Sequence, residues 1–165
     1  MMADNVARDI SLRPLTEDDI PALFEIQLDE AAQHLAAFTD AKTARDADAF
    51  RQKYRKILAD DAIVNRVIEI HGEVVGSAAT FPIEGDTELT YWIRKDWWGR
   101  GVATAAVAAL LDEVTERPIH ARVVEDNPGS VRVLERTGFV RVGSEDSFAP
   151  GRQATVTELI FKLAD

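Results

Sequence analysis

Cysteine is absent from the 165 residues. That alone excludes disulfides, thiolate zinc sites and cysteine nucleophiles, and it suits a reducing, cytoplasmic setting. Long apolar runs are absent too. No stretch approaches the roughly 20 residues that span a bilayer. The start, Met1-Met2-Ala3-Asp4-Asn5, lacks a basic region followed by an apolar run, so no signal peptide is expected. Basic side chains are in the minority, 19 against 29 acidic ones, for a net charge of −10. No stretch concentrates positive charge as nucleic-acid binders do, so neither a nucleic acid nor a membrane is expected as a partner. Two phosphate signatures are missing as well, Gly-x-Gly-x-x-Gly and Gly-x-x-x-x-Gly-Lys-Ser/Thr. The three histidines, His34, His71 and His120, do not cluster at metal-ligand spacing, and no metal is expected.

The remaining charge is uneven. Residues 1–48 carry 11 acidic and 4 basic side chains, whereas residues 94–141 carry 7 and 8. Such an acidic front either only keeps a protein soluble, the commoner case, or attracts a cationic acceptor. A hydrophobic fraction of 46 % over this length is enough for one domain, 1–165, with a real core.

The most informative stretch is Trp97-Trp98-Gly99-Arg100-Gly101-Val102-Ala103-Thr104. It joins a strand-like run, Glu88 to Ile93, to an alanine-rich helix expected from Val102 to about Glu116. Glycines there allow a sharp turn. The first amides of the helix lack internal partners, and the helix dipole favours an anion beside them. A phosphate-binding turn and a ligand-free connection fit these glycines equally well.

Around this turn the period of the sequence organises the chain. Ile10 to Pro14 alternates like a strand. Thr16 precedes an acidic first turn, Glu17-Asp18-Asp19, as a helix cap does. Leu23, Phe24, Ile26 and Leu28 continue that helix. A second short helix is expected from Asp29 to Phe38, with Leu35 and Phe38 on one side, and residues 39–43 read as a loop. Asp46 to Ala59 is amphipathic through Phe50, Tyr54, Ile57 and Leu58. Three meandering strands follow, 62–70, 73–81 and 87–93, with turns at His71-Gly72 and at 82–86. After the central helix come a strand, Ile119 to Val124, and a helix opened by Asn127-Pro128 and closed by Gly138. Two last strands, 139–144 and 154–163, flank Pro150-Gly151. The order predicts a mixed α/β or α+β fold.

Three blocks carry a resemblance to the GNAT N-acetyltransferase superfamily, above all its branch of ribosomal-protein alanine and serine N-acetyltransferases. Glu88 to Ile93 resembles the family's fourth strand. Trp98 to Thr104 resembles its Gln/Arg-x-x-Gly-x-Gly/Ala loop. Asn127-Pro128-Gly129-Ser130, running on to Gly138-Phe139, resembles the Asn-x-x-Ser…Gly-Phe block of this branch. The resemblance spans nearly the whole chain. It implies a mostly antiparallel sheet of about seven strands flanked by helices, and transfer of an acetyl group from acetyl-coenzyme A to a primary amine.

The same resemblance assigns roles. Trp98, Gly99, Arg100, Gly101, Val102, Ala103 and Thr104 would hold the pyrophosphate. Trp92, Ile93 and Arg94 would pair with the pantetheine arm. Asn127, Ser130 and Arg132 would complete the coenzyme site, with Asn127 and Ser130 also near the reaction. Glu88 would be the general base. His34 lies where relatives wall the acceptor site, and Trp92, Trp97 and Trp98 either line a pocket or pack on the sheet. Homodimers are common in the family. Trp98 replaces the usual Gln or Arg, Ala105 an expected Glu, and Leu134 the tyrosine that donates a proton in many members. The last departure keeps a second class open, a non-catalytic acyl-coenzyme A-binding or sensor module.

Overall fold

The computed structural model describes residues 9–32, 45–150 and 152–165. The expected second helix beyond residue 32, the 39–43 loop and His34 lie outside them. Among the described residues, seven strands form a single sheet in the order β1-β2-β3-β4-β5-β7-β6. They are β1 (Ile10–Pro14), β2 (Val64–Ile70), β3 (Glu73–Ile83), β4 (Asp86–Ile93), β5 (Ile119–Val124), β6 (Val140–Ala149) and β7 (Ala154–Leu163). All neighbours are antiparallel except β4 and β5.

The helices lie on both faces. Helices α1 (Ile20–Gln27) and α2 (Ala47–Ala59) build a core with Leu15 and Val67. Phe50 is its centre, edge-on to Phe24 with centroids 5.2 Å apart and beside Tyr54 at 4.6 Å. The Asp46 side chain starts α2 by accepting from the amides of Asp48 and Ala49 at 3.0 and 3.1 Å. Helices α3 (Val102–Glu113) and α4 (Pro128–Arg136) cover the other face. Val102, Ala106, Val107 and Leu110 of α3 are buried against Ile68, Leu89, Ile93, Ile119, Ala121 and Val123. Successive side chains of a strand point to opposite faces. Thus Val67 joins the first core and its neighbour Ile68 the second.

Boundaries differ from the sequence pattern at several points. Strand β2 begins at Val64, β3 runs on to Ile83 and β4 begins at Asp86, which shortens the expected 82–86 turn. The turn after Thr16 is 3₁₀ over Glu17–Asp19 before α1 begins. Helix α3 stops at Glu113, where the Arg117 guanidinium donates to the Val114 carbonyl at 2.6 Å. Strand β6 runs on from Ser144 to Ala149. That extension is edge strand with only β7 beside it, so its mostly exposed residues give no apolar alternation.

Candidate active site between β4 and β5

The parallel pair is joined at one register position, Glu88 opposite His120, near the start of both strands. No further ladder pairs hold β4 to β5. The two strands therefore separate toward their C-terminal ends and leave a gap through the sheet. The other edge of β4 is held tightly along its length to β3, from Asp86 opposite Ile83 to Ile93 opposite Gly76. The Arg94 amide continues that attachment, donating to the Val75 carbonyl at 2.7 Å. A Cβ on Gly76 would lie 2.1 Å from the Trp92 carbonyl oxygen, so only glycine lets β3 approach this closely.

Helices α3 and α4 follow directly from β4 and β5, so both begin at the carboxyl ends of the parallel pair. In α/β sheets this is where ligands bind. Gly101 caps α3 with φ of 82° and ψ of 5°, the left-handed region that favours glycine. No side chain caps this helix. Its first i→i−4 bond runs from Ala105 to Gly101, at 3.1 Å. The amides of Val102, Ala103 and Thr104 thus precede the first helical bond and are available to an anion. A Cβ on Gly99 or Gly101 would meet nothing within 4 Å, so open space lies over the turn. These residues fit a pyrophosphate.

Several side chains near the turn are directed elsewhere. The Trp98 indole donates from Nε1 to the Ile93 carbonyl at 2.8 Å, which ties the turn back to the end of β4. Arg94 spends its guanidinium on Asp96, at 2.6 Å from Nε, and on Glu73. The Arg100 guanidinium lies over the Trp97 ring, 4.1 Å from its centroid. At this turn the structure therefore offers backbone amides to a ligand more readily than cationic side chains. Thr104 is half-buried on the first turn of α3, and Arg132 is exposed on α4.

The Asn127 side chain caps α4, its Oδ1 accepting from the Ser130 amide at 3.2 Å. Ser130 stands one turn into that helix. Its hydroxyl meets the phenol of Tyr91, which reaches over from β4. This bond bridges the two sides of the gap. Burial pushes the Tyr91 phenol above its ordinary value, opposed by the bond to Ser130. Leu134, one turn after Ser130, is 2 % exposed and belongs to the core under α4. The sequence pattern overlooks Tyr91. A half-buried phenol needs a partner, but 39 positions separate it from Ser130.

Glu88 lies on the opposite face from Tyr91, as its three-residue offset requires. Its Oε1 accepts from Arg122 Nε of β5 at 3.0 Å. Arg122 also reaches Glu145 at 3.2 Å and Glu158 at 3.3 Å. Burial opposes its charge, but hydrogen bonds to Glu145, Glu88 and Glu158 hold the guanidinium above its ordinary value. Glu158 is pushed up by burial first, pulled down by Arg122, and raised again by the charges of Glu88 and Glu145. His120 is half-buried beside Glu88, and its Nδ1 is buried without a partner. His71 is exposed in the β2–β3 turn. Among the described residues, no group of side chains is arranged to hold a metal. Nor is any helix among the described residues long and apolar enough to cross a membrane.

A sheet split between two parallel strands, with an uncapped glycine turn at its mouth, defines a class of enzyme. It is the architecture of an acetyl-coenzyme A-dependent N-acetyltransferase, and the chain has that activity class. The acetyltransferase (GNAT) domain model matches residues 9–140, and the chain belongs to that family. It is 23 % identical over 167 residues to the uncharacterized N-acetyltransferase p20 of Bacillus licheniformis, covering 93 % of this chain and 92 % of that protein. It is 26 % identical to Mycobacterium smegmatis RimJ, solved with a coenzyme A disulfide. The TM-score is 0.76, over 94 % of this chain and 81 % of that one. The spermidine N-acetyltransferase of Vibrio cholerae, solved with coenzyme A and spermine, shares the fold. Its TM-score is 0.78 at 22 % identity, over 94 % of this chain and 96 % of that one. Membership of the family turns the expected seven-stranded, mostly antiparallel sheet into an observation, and acetyl-coenzyme A is the co-substrate.

Proposed function

We propose that this N-acetyltransferase acts in the cytoplasm on a primary amine carried by a cationic acceptor, with Glu88 as general base. The observation that carries this reading is the gap between β4 and β5, closed at Glu88 and open toward the glycine turn. The bound coenzyme supplies an acetyl group activated as a thioester. Gly99 to Thr104 hold its pyrophosphate through their amides. The free edge of β4 from Trp92 to Arg94 pairs with the pantetheine arm. A backbone N–H on that edge faces the carbonyl oxygen as it gains charge. Asn127, Ser130 and Arg132 flank the arm from α4.

An alkylamine has a pKa of about 10 and an α-amine one of about 8, so either arrives mostly protonated at pH 7. Only the neutral amine attacks. Glu88 accepts that proton through an intervening water. Arg122 engages Glu88 Oε1, and the second oxygen holds no hydrogen bond among the described residues. That oxygen is the one aimed at the water.

The carboxylates around the site support a cationic acceptor. Glu25, Asp29 and Asp96 line a cavity of about 570 Å³ with Ile26, Arg94 and Lys95, between α1 and the end of β4. Glu145 and Glu158 add two more beside Glu88. Initial rates with amines of matched length and rising positive charge, at low and high salt, test this. The expected result is a kcat/KM that climbs with acceptor charge and falls with salt. A response flat to both removes the cationic acceptor. Glu88→Gln is expected to lower kcat/KM most at low pH. Unchanged rates across the pH profile remove Glu88 from the reaction.

A further inference from the structure

Tyr91 and Ser130 form a polar side-chain pair across the gap, on the face opposite the Glu88–Arg122 pair. Tyr91 belongs to β4, on the face that carries Leu89 and Ile93 into the α3 core. Ser130 belongs to α4, and its backbone amide is already fixed by the Asn127 cap. The hydroxyl of Ser130 is thus anchored at its base by the helix and at its tip by the phenol. Leu134, one turn further along α4, is apolar and buried, so no polar side chain stands at that position.

We propose that Tyr91 is a positioning residue for acetyl transfer, donating its phenolic hydrogen to Ser130 Oγ so that the Ser130 hydrogen points at the departing sulfur. The proposal rests on the acetyltransfer reading above and on the place of Ser130 beside the coenzyme.

The donor direction follows from chemistry. A phenol is the stronger hydrogen-bond donor of the two, and burial keeps it protonated across the neutral range. With Oγ accepting from Tyr91, the single hydrogen of Ser130 has no reason to turn back to the ring. Two hydroxyls in series polarise each other, which strengthens the outer bond.

The step balances without a proton leaving either hydroxyl. The amine nitrogen forms the new N–C bond as the C–S bond breaks, and the electron pair of that bond goes to sulfur. Two protons leave the amine. The ammonium proton passes through water and Glu88 to solvent before attack. The second, released as the N–C bond forms, goes to the same carboxylate through water. The sulfur departs as a thiolate held by the Ser130 hydrogen. Its parent thiol has a pKa of about 8.5, below that of a phenol at about 10, so proton transfer from Tyr91 to sulfur would run uphill. Orientation, and not proton donation, is the role the pair can fill.

Tyr91→Phe keeps the ring and its packing, and thermal unfolding confirms that the fold is retained. The expected result is a kcat lowered by about tenfold, the worth of one buried hydrogen bond, with the KM for acetyl-coenzyme A nearly unchanged. A second readout needs no turnover. Titrating the thiol of bound coenzyme A by thiolate absorbance should give a higher pKa in Tyr91→Phe than in the unaltered protein. Ser130→Ala should raise it likewise, and the double variant should be no worse than Ser130→Ala alone.

A Tyr91→Phe variant with full kcat and an unshifted bound thiol overturns the proposal. So do losses that add in the double variant, because they show Tyr91 acting independently of Ser130. If Ser130→Ala is impaired and Tyr91→Phe is not, the place of Ser130 stands and the Tyr91 role falls. If Ser130→Ala leaves both readouts unchanged, the reading of Ser130 itself fails and takes the proposal with it.

Discussion

A single guanidinium, that of Arg122, faces Glu88, Glu145 and Glu158. Removing it leaves three carboxylates facing one another. Arg122→Met should therefore destabilise the fold by about 1–3 kcal/mol, as breaking a partly buried ion pair does, seen as a lower urea midpoint. Glu158→Gln should do the reverse. The folded-state pKa of Glu158 is raised above its usual 4.5, chiefly by burial. Stability from its protonated form is present below 4.5 and lost as pH rises through the folded value. The variant, which cannot ionise, should gain on the unaltered protein across that window. A fixed difference at all pH values would contradict this. Asp19 behaves with opposite sign. The forked bond from Arg13, at 2.7 and 2.8 Å, holds its carboxyl below the usual 3.8, against burial and with help from Thr16. Its contribution is complete above 3.8 and disappears as pH falls through the folded value. The stability lost in Asp19→Asn should shrink over that same acid range. Glu88 and Asn127 could be singled out from their motif positions. The partners that hold them could not, because sequence alone does not state the register that brings Arg122 to Glu88.

Strand β4 and the turn after it concentrate the function at the level of elements. Strands β1, β5 and β7 are readable to the residue, because β-branched alternation marks them and turn residues bound them. The 144–149 extension of β6 is not, because an edge strand that is mostly exposed carries no apolar alternation. The separation of β4 from β5 is a matter of pairing, and nothing local in either strand encodes it. Gly76 is equally silent in the sequence, although β3 and β4 meet there. Gly76→Ala should cost about 1–3 kcal/mol through overpacking. It should also weaken coenzyme binding, since the displaced Trp92 carbonyl lies on the strand edge proposed to pair with the pantetheine arm. Urea unfolding and calorimetry on the same sample separate the two effects. A variant that is destabilised yet binds acetyl-coenzyme A with unaltered affinity would detach Trp92 from the coenzyme site.

For the whole molecule, the mixed sheet and the order of its strands and helices were legible, because the hydrophobic period switches cleanly between 2 and 3.6 along the chain. The division of labour between the two faces became visible only in three dimensions. One face carries Glu88 and the carboxylates toward α1, and the other carries Tyr91 and Ser130 toward α3 and α4. A group threaded between β4 and β5 would meet the Glu88 carboxylate, the proposed base, from one side and a hydroxyl from the other. The gap as the seat of the coenzyme is the claim on which the rest depends, and Gly101 tests it most directly. In Gly101→Ala the left-handed conformation costs about 1–2 kcal/mol, small enough to leave the protein folded. The new methyl group would stand in the open space at the turn. Calorimetric titration with acetyl-coenzyme A should show binding to the unaltered protein and an affinity lower by about tenfold or more in Gly101→Ala, the loss expected when backbone amides can no longer approach the pyrophosphate. Equal affinity in the two proteins would contradict the account.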